Sequence, residues 1–399
     1  MEKWQQREFG ELYKIPSRNG LSKPSRVRGS GYKMINMGEL FSNDRIYNIN
    51  MELVPLTEAE KEKAKIEKND LLFARQSLVA SGAGKCSIVM ETDDLTVFES
   101  HLIRVRLNPQ IADSMFYYYY FKSFNSPIKA IIQHCVQAGI KASDLEKLFV
   151  AVPPLEIQKK IAGILSKIDD KIEENNHINK NLEQQAQAYF DELFVVNADP
   201  NWSECTLSDI GSVVAGGTPS KSKPEYYADQ GIAWITPKDL SVNKSKFISH
   251  GENDISELGF SKSSATKMPA GTILFSSRAP IGYIAIAQNE VTTNQGFKSV
   301  IPNENISTAY MYFLLKNLLP TIEGMASGST FKEISGAAMK SVPTVMPDAD
   351  TIQLFSSFCE PVFKEQEILE AENQRLSALR DSLLPKLMSG ELDVSDIDL

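Results

Sequence analysis

The segments that invite a catalytic reading in this 399-residue chain each lack a residue that the chemistry requires. SGAGKC, from Ser81 to Cys86, has the glycines and lysine of a phosphate-cradling loop. Val79 occupies the first glycine position, however, and Cys86 stands where a hydroxyl would hold magnesium, so the segment reads as a turn. Pro153-Pro154 is framed by valine and leucine, not by the asparagine and aromatic residue of amino-methyltransferase motifs, and methyl transfer by this chain is not expected. His101, His134, His177 and His250 lie far apart, with no HExxH and no GxSxG nucleophile elbow anywhere. Cys86, Cys135, Cys205 and Cys359 show no CxxC spacing, so neither a metal site nor a disulfide framework is expected.

Composition sets the remaining bounds. With 42% hydrophobic and 23% charged residues, the chain can bury two or three sizeable cores. No stretch approaches the roughly 20 apolar residues of a membrane helix, and the start MEKWQQREFGELY has no signal-peptide core. A soluble, cytoplasmic protein without membrane association is therefore expected. The net charge of −9 divides unevenly: +3 over residues 1–153, −3 over 154–196, −1 over 197–347 and −8 over 348–399. Acid is thus concentrated in the segments between and after the globular parts, which stay free to present local basic surfaces.

The elements that would position any site come from an internal repeat. Trp4, Phe9 and Leu12 are echoed by Trp202, Leu207 and Ile210, and GYKMINMGEL at 31–40 by GIAWITPKDL at 231–240. NDLLFAR from Asn69 and AGTILFSSR from Ala270 each end in arginine, which places Arg75 and Arg278 at similar points of the two copies. VFESHLIRVRLN at 97–108 then parallels TTNQGFKSVIPN at 292–303, and SMFYYYYFKS parallels TAYMYFLLKN. KCSIVM and GYIAIAQ alternate as strands, whereas 112–134 and 308–325 read as helices, giving an α+β domain of about 150 residues.

After each domain the pattern turns to heptads. One seam runs through Ile161, Ile164, Ile168, Asn179 and Leu182, with an extra residue between Ile168 and Ile172; the other runs through Phe355, Phe358, Val362, Asn373 and Leu376 and stops at Pro385. A helix of about 40 residues is roughly 60 Å long, too long to be buried in one small domain. Mutual packing as an antiparallel coiled coil is the economical arrangement, with Asn179 and Asn373 helping to fix register. Packing of each helix on its own domain, or a homodimer, are the alternatives.

At this point the chain resembles the specificity subunits of type I restriction-modification systems. GGTPSKSKPEYYADQGIAWITPKDL (216–240), ILFSSRAPIGYIAIA and TTNQGFKSV resemble that family's target-recognition domain. VPPLEIQKKIAGILSKIDDKIEENN resembles its central conserved helix, and LRDSLLPKLMSGEL (379–392) its C-terminal conserved end. The first domain departs from the pattern, with IPSRNGLSKPSRVRGSGYKMINMGEL in place of the GGTPS segment. The resemblance implies target-recognition domains at 1–153 and 197–347, conserved helices at 154–196 and 348–399, and a pseudo-twofold repeat. It also implies a non-catalytic subunit that binds double-stranded DNA at a two-part target. Two methyltransferase subunits would bring the S-adenosylmethionine, restriction subunits would join them, and no cofactor or metal would be held by this chain. A coiled-coil protein scaffold with no DNA role, and an enzyme with an unrecognised site, are the competing readings.

Base edges are read by Arg at guanine and by Asn or Gln at adenine, while Lys, Ser and Thr position phosphates. The candidates in the second domain are Thr218, Ser220, Lys221, Ser277, Arg278, Asn294 and Gln295; in the first they are Lys23, Arg26, Arg28, Arg75, Gln76 and Lys85. Readers of different half-sites should differ between copies, which favours Gln76 and Asn294.

Overall fold

The apolar runs of the two copies pair into the same sheet twice. The computed structural model describes residues 4–77, 82–92, 95–134, 138–278, 280–328 and 332–397. Its contacts divide the chain into one unit of residues 1–172 with 375–399 and another of residues 173–374.

In the first unit a five-stranded sheet runs Tyr13–Asn19, Leu102–Leu107, Leu71–Ala74, Cys86–Val89 and Arg45–Ile46. In the second the order is Gly211–Ala215, Lys298–Pro302, Ile273–Ser277, Ile281–Ala287 and Phe247–Ile248. Both sheets are antiparallel except for the short last strand, which is parallel to its neighbour. A smaller sheet accompanies each, built on Tyr32–Ile35 in the first unit and on Ile232–Ile235 in the second. The structure therefore repeats the α+β topology that the sequence repeats.

The large cores form where an aromatic helix covers each five-stranded sheet. Asp113 accepts the Phe116 N–H at 2.8 Å and starts the helix Ser114–Lys122; Ser307 accepts the Tyr310 N–H at 3.1 Å and starts Thr308–Asn317. Phe121 lies edge-on to Phe9 and Phe73, with centroids 4.9 and 5.1 Å away, and Phe313 meets Phe190 and Phe355 at 6.0 and 5.8 Å. The first aromatic helix is shorter than the predicted 112–134. Lys122 ends it, and after a 3₁₀ turn at Pro127–Ile131 residues Gln133–His134 form a strand. Asn125, Ser126 and Pro127 break it, because proline cannot donate and restrains the residue before it. The second predicted helix, 308–325, is likewise two helices, Thr308–Asn317 and Leu319–Met325, with Pro320 in the first turn of the latter.

The long helices span Leu155–Asp191 and Ala349–Met388. The second runs past Pro385, where its sequence pattern predicts a stop, since a proline so close to the end removes only one of the last hydrogen bonds. In the first unit Ile161 is fully buried, Ile164, Ile168 and Leu376 are half-buried, and Arg380 reaches Asp169 at 2.8 Å. In the second unit Asn175 donates to Asn373 at 2.9 Å, Gln366 donates to the Asn179 carbonyl at 3.1 Å, and Tyr189 lies tilted on Phe355 and edge-on to Phe358. Partner numbers fall along one segment as they rise along the other, so these segments are antiparallel within the unit. Phe355 and Val362 are buried and Leu182 and Asn373 half-buried, whereas Phe358 lies at the margin with 37% of its surface exposed. Asn373 pairs with Asn175 and Asn176; Asn179 contributes its carbonyl.

One charged cluster in the second unit gives a pH prediction. Glu183 accepts from Lys316 and forms an ion pair with Lys246, which donates to Gln366 at 2.6 Å. Burial pushes the Glu183 carboxyl up, but the two lysines outweigh it and hold the carboxyl below the ordinary glutamate value of 4.5. Its stabilising contribution is thus present above that value and is lost as pH falls through the lower folded value. Glu370 is shifted upward by burial and acts in the opposite sense. Acid-unfolding curves of Glu183→Gln and the parent should therefore converge as pH falls below 4.5 and separate above it; parallel curves throughout would contradict this.

Candidate nucleic-acid interface

Three segments far apart in sequence meet at one edge of the second unit. Gly216 follows the strand Gly211–Ala215, and a Cβ there would stand 2.0 Å from the Asn294 carbonyl oxygen and 2.5 Å from that of Thr293. At Gly217 an added Cβ would stand 2.3 Å from the Ala265 nitrogen, while its own N–H donates to the Thr293 carbonyl at 2.8 Å. Only glycine permits so close an approach of two backbones. Trp234 Nε1 donates to the Gly217 carbonyl and the Tyr227 hydroxyl to that of Pro219, both at 2.9 Å, anchoring the loop from below.

The facing turn is built by its own asparagine. Asn294 Oδ1 accepts the Gly296 N–H at 2.8 Å, and the Asn294 N–H donates to Ile235 at 3.0 Å. Ser277 then ties in the end of its strand, its N–H and hydroxyl both donating to the Gly296 carbonyl, at 2.7 and 3.0 Å. Thr218 on the loop donates to the exposed Gln295 on the turn. The rim thus carries Thr218, Gln295 and Arg278, with Ser220 and Lys221 exposed further along the loop.

Two candidates change role here. Ser277 is fully buried, so it belongs to the scaffold and not to the contact surface. Asn294 is half-buried with its oxygen committed to the turn, which leaves its amide nitrogen for a ligand. Ser220 bonds Ser222 at 2.9 Å, and Lys221 has no ion-pair partner among the described residues. Arg278 pairs with Glu333 at 3.7 Å; both side chains are about two-fifths exposed, at 42% and 40%.

The first unit repeats the backbone bonds of this frame. A Cβ on Gly20 would stand 2.1 and 2.4 Å from the Phe98 and Glu99 carbonyl oxygens. Leu21 donates to Phe98 at 2.8 Å as Gly217 does to Thr293, and Glu99 donates to Ile35 at 3.0 Å as Asn294 does to Ile235. Gly20 therefore corresponds to Gly216, at a shift of 196 that interpolation between the flanking blocks, shifted by 198 and 200, would have missed.

The arginine correspondence is corrected by the same bonds. Arg75 donates through its N–H to His101 at 2.8 Å and Ser277 to Gly296 at 2.7 Å; Ile140 donates to Arg75 and Ile334 to Ser277, at 2.9 and 3.1 Å. Arg75 is thus equivalent to Ser277, and Gln76 to Arg278. Sheet register is the reason: Leu71 pairs with Val105 and Ile273 with Val300, and four residues on from these lie Arg75 and Ser277.

Several basic candidates of the first unit are held within it. Lys23 pairs with Glu60 at 2.8 Å, Arg28 with Glu52 at 2.6 Å and Lys85 with Asp44 at 3.0 Å. Lys122 and Lys85 outweigh burial and hold the Asp44 carboxyl below its usual range. Arg26 is exposed without a side-chain partner among the described residues, and Arg75 is half-buried with a 3.4 Å bond to the Ser100 carbonyl. Gln76 is half-buried on the strand Gln76–Ser77. Of the SGAGKC turn, Ser81 lies outside the described residues, as does Cys135; Gly84 takes a positive φ of 76°. Among the described residues no three His, Cys, Asp or Glu side chains converge as metal ligands, and no helix is long and apolar enough to cross a membrane.

This geometry agrees with comparison to known proteins. The type I restriction modification DNA specificity domain matches residues 1–184 and again 200–378. The chain is 38% identical over 190 residues to the MjaIX specificity subunit of Methanocaldococcus jannaschii, covering 45% of this chain and 44% of that one. It is 24% identical to the HindI specificity subunit of Haemophilus influenzae across 98% of this chain and 100% of that one. The crystal structure of the type I restriction-modification S subunit from M. genitalium shares the fold, with a TM-score of 0.61 at 19% identity and 96% of each chain covered. With that domain present twice, this chain belongs to the type I restriction-modification DNA specificity family, and its role is recognition of a DNA target.

Proposed function

We propose that the chain recognises a bipartite DNA target, each head reading one half-site, and directs methyltransferase and restriction subunits to it without catalysing a reaction itself. The observation that carries this reading is the duplicated frame: one loop and turn scaffold occurs in both units, with different side chains at equivalent positions, Gln76 against Arg278 at the rim and the buried Glu99 against the half-buried Asn294 behind it. A scaffold kept constant under a varied rim is what two readers of unlike sequences require.

The long helices supply the spacing in this account. We take them as one antiparallel coiled coil, on the evidence of the asparagine contacts in the second unit and the Asp169 to Arg380 pair in the first. At 37 and 40 residues they are about 55 and 60 Å long, against about 34 Å for a turn of B-DNA. Two methyltransferase subunits carrying S-adenosylmethionine complete the modifying assembly, which works in the cytoplasm. A pure protein scaffold would not need base-reading rims.

Retention on a DNA library, measured for the chain alone and with its methyltransferase subunits, tests this reading: selective retention should appear with the subunits. Equal, sequence-indifferent retention in both cases would overturn it. Arg278→Ala should lower modification at the native site by a factor corresponding to about 1–3 kcal/mol while leaving the thermal transition in place, because the residue is at the rim of a fold it does not hold together. Unchanged modification would remove Arg278 from the interface.

A further inference from the structure

We infer that Gln76 and Arg278 are the matched specificity determinants of the two heads, Gln76 selecting adenine in the first half-site and Arg278 selecting guanine at the corresponding place in the second. The inference rests on the proposal that each head reads DNA. Four backbone bonds assign the two residues to one position of the shared frame. The residue before each donates to the turn, at His101 or Gly296, and accepts from the segment beyond, at Ile140 or Ile334. Gln76 itself pairs with Gly139, and Arg278 bridges Glu333, so the strand-like extension continues identically.

Chemistry separates the two at this point. An amide side chain offers one donor and one acceptor, the complement of adenine N7 and N6; a guanidinium offers two donors, the complement of guanine O6 and N7. Neither side chain is consumed by the fold. The Gln76 amide has no hydrogen-bond partner among the described residues, although it is only half-buried beside the turn. Among the described residues Arg278 has a single 3.7 Å ion pair, with Glu333, which also faces Lys298 at 3.7 Å. A long pair between groups this exposed holds an arginine weakly, so the guanidinium can turn to a base. By contrast, the neighbours Arg75 and Ser277 carry the frame, one half-buried and the other fully buried. Gly139 and Glu333 also occupy one position. The first head therefore has a glycine beside its glutamine where the second has a carboxylate beside its arginine.

The test uses the chain assembled with its methyltransferase subunits and a duplex library randomised over the target, with methylated sites sequenced afterwards. Gln76→Arg should move one position of the first half-site from A to G and leave the second half-site alone; Arg278→Gln should move one position of the second from G to A. Each change should alter preference roughly ten- to hundred-fold. Preferences that stay at the parent's in both variants overturn the inference. If a variant gives no modification, the parent complex decides the matter with base analogues. Placing 7-deazaguanine at the second half-site, or 7-deazaadenine at the first, should cost a similar factor at one position in each. Indifference to every such substitution overturns the assignment. A parent complex that selects no sequence at all would overturn the DNA-reading proposal itself, which is a different result from a selected target whose bases ignore residues 76 and 278.

Discussion

Seven residues inserted at equivalent places in both long helices should lengthen the accepted gap between half-sites by about three base pairs. Seven helical residues add roughly 10 Å, and B-DNA rises about 3.4 Å per pair. The insertion must be made in both helices, because the antiparallel contacts fix each residue to a partner: Asn175 to Asn373, Asn179 to Gln366, and Tyr189 to Phe355. A heptad keeps the apolar seam in phase, whereas four or five residues would rotate it away from its partner. Modification assays on targets of graded gap length would read the change. A parent-length optimum in the inserted protein would remove the spacing role from the helices.

Gly216→Val should abolish recognition by the second head and leave the first head's binding intact. A Cβ at this position meets the Asn294 carbonyl oxygen at 2.0 Å and the Thr293 hydroxyl at 2.4 Å, about an ångström inside contact distance. The turn that carries Asn294 and Gln295 must move, and the Gly217 to Thr293 bond of 2.8 Å goes with it. Overpacking of this kind costs about 1–3 kcal/mol, and a valine aimed at two carbonyls belongs at the upper end. Displacement of the rim by even an ångström should reduce modification at least a hundred-fold. Gly20→Val is the mirrored variant, since its Cβ would stand 2.1 Å from Phe98 oxygen. Binding to single half-site duplexes distinguishes the heads; a variant that weakens both equally would contradict the assignment of one frame to each.

Much of this was legible in the sequence because duplication supplies an internal comparison. Strands such as Cys86–Val89 and Ile281–Ala287 follow from alternation, and the helix Leu155–Asp191 from heptads opened by Pro153-Pro154. The aromatic helix did not read correctly at its end. Its apolar pattern continues through Ile128, Ile131 and Ile132, and only the 3₁₀ turn at Pro127–Ile131 reveals where the α-helix stops.

The site was legible in its loops and less so in its individual side chains. The Gly216-Gly217 loop and the Asn294-Gln295 turn are adjacent although 77 residues apart, as their Thr218 to Gln295 contact records. Sequence could not reveal that Ser277 points inward, because a serine after an apolar run is equally compatible with surface and core. Nor could it reveal that Lys23, Arg28 and Lys85 find acids far along the chain. The matching of Arg75 with Arg278 rested on residue identity, whereas sheet register makes Gln76 the counterpart of Arg278 in the other copy. That correction turns a shared arginine into a difference between the two copies.

The central claim, one frame used twice to read two unlike half-sites, is tested most directly by mapping every methylated site made by the chain with its methyltransferase subunits. The account predicts a single asymmetric target of two specified blocks separated by a fixed, unspecified gap, with Gly216→Val erasing the requirement for one block and Gly20→Val that for the other. A target consisting of one continuous block, or two blocks that both depend on the same glycine, would contradict it.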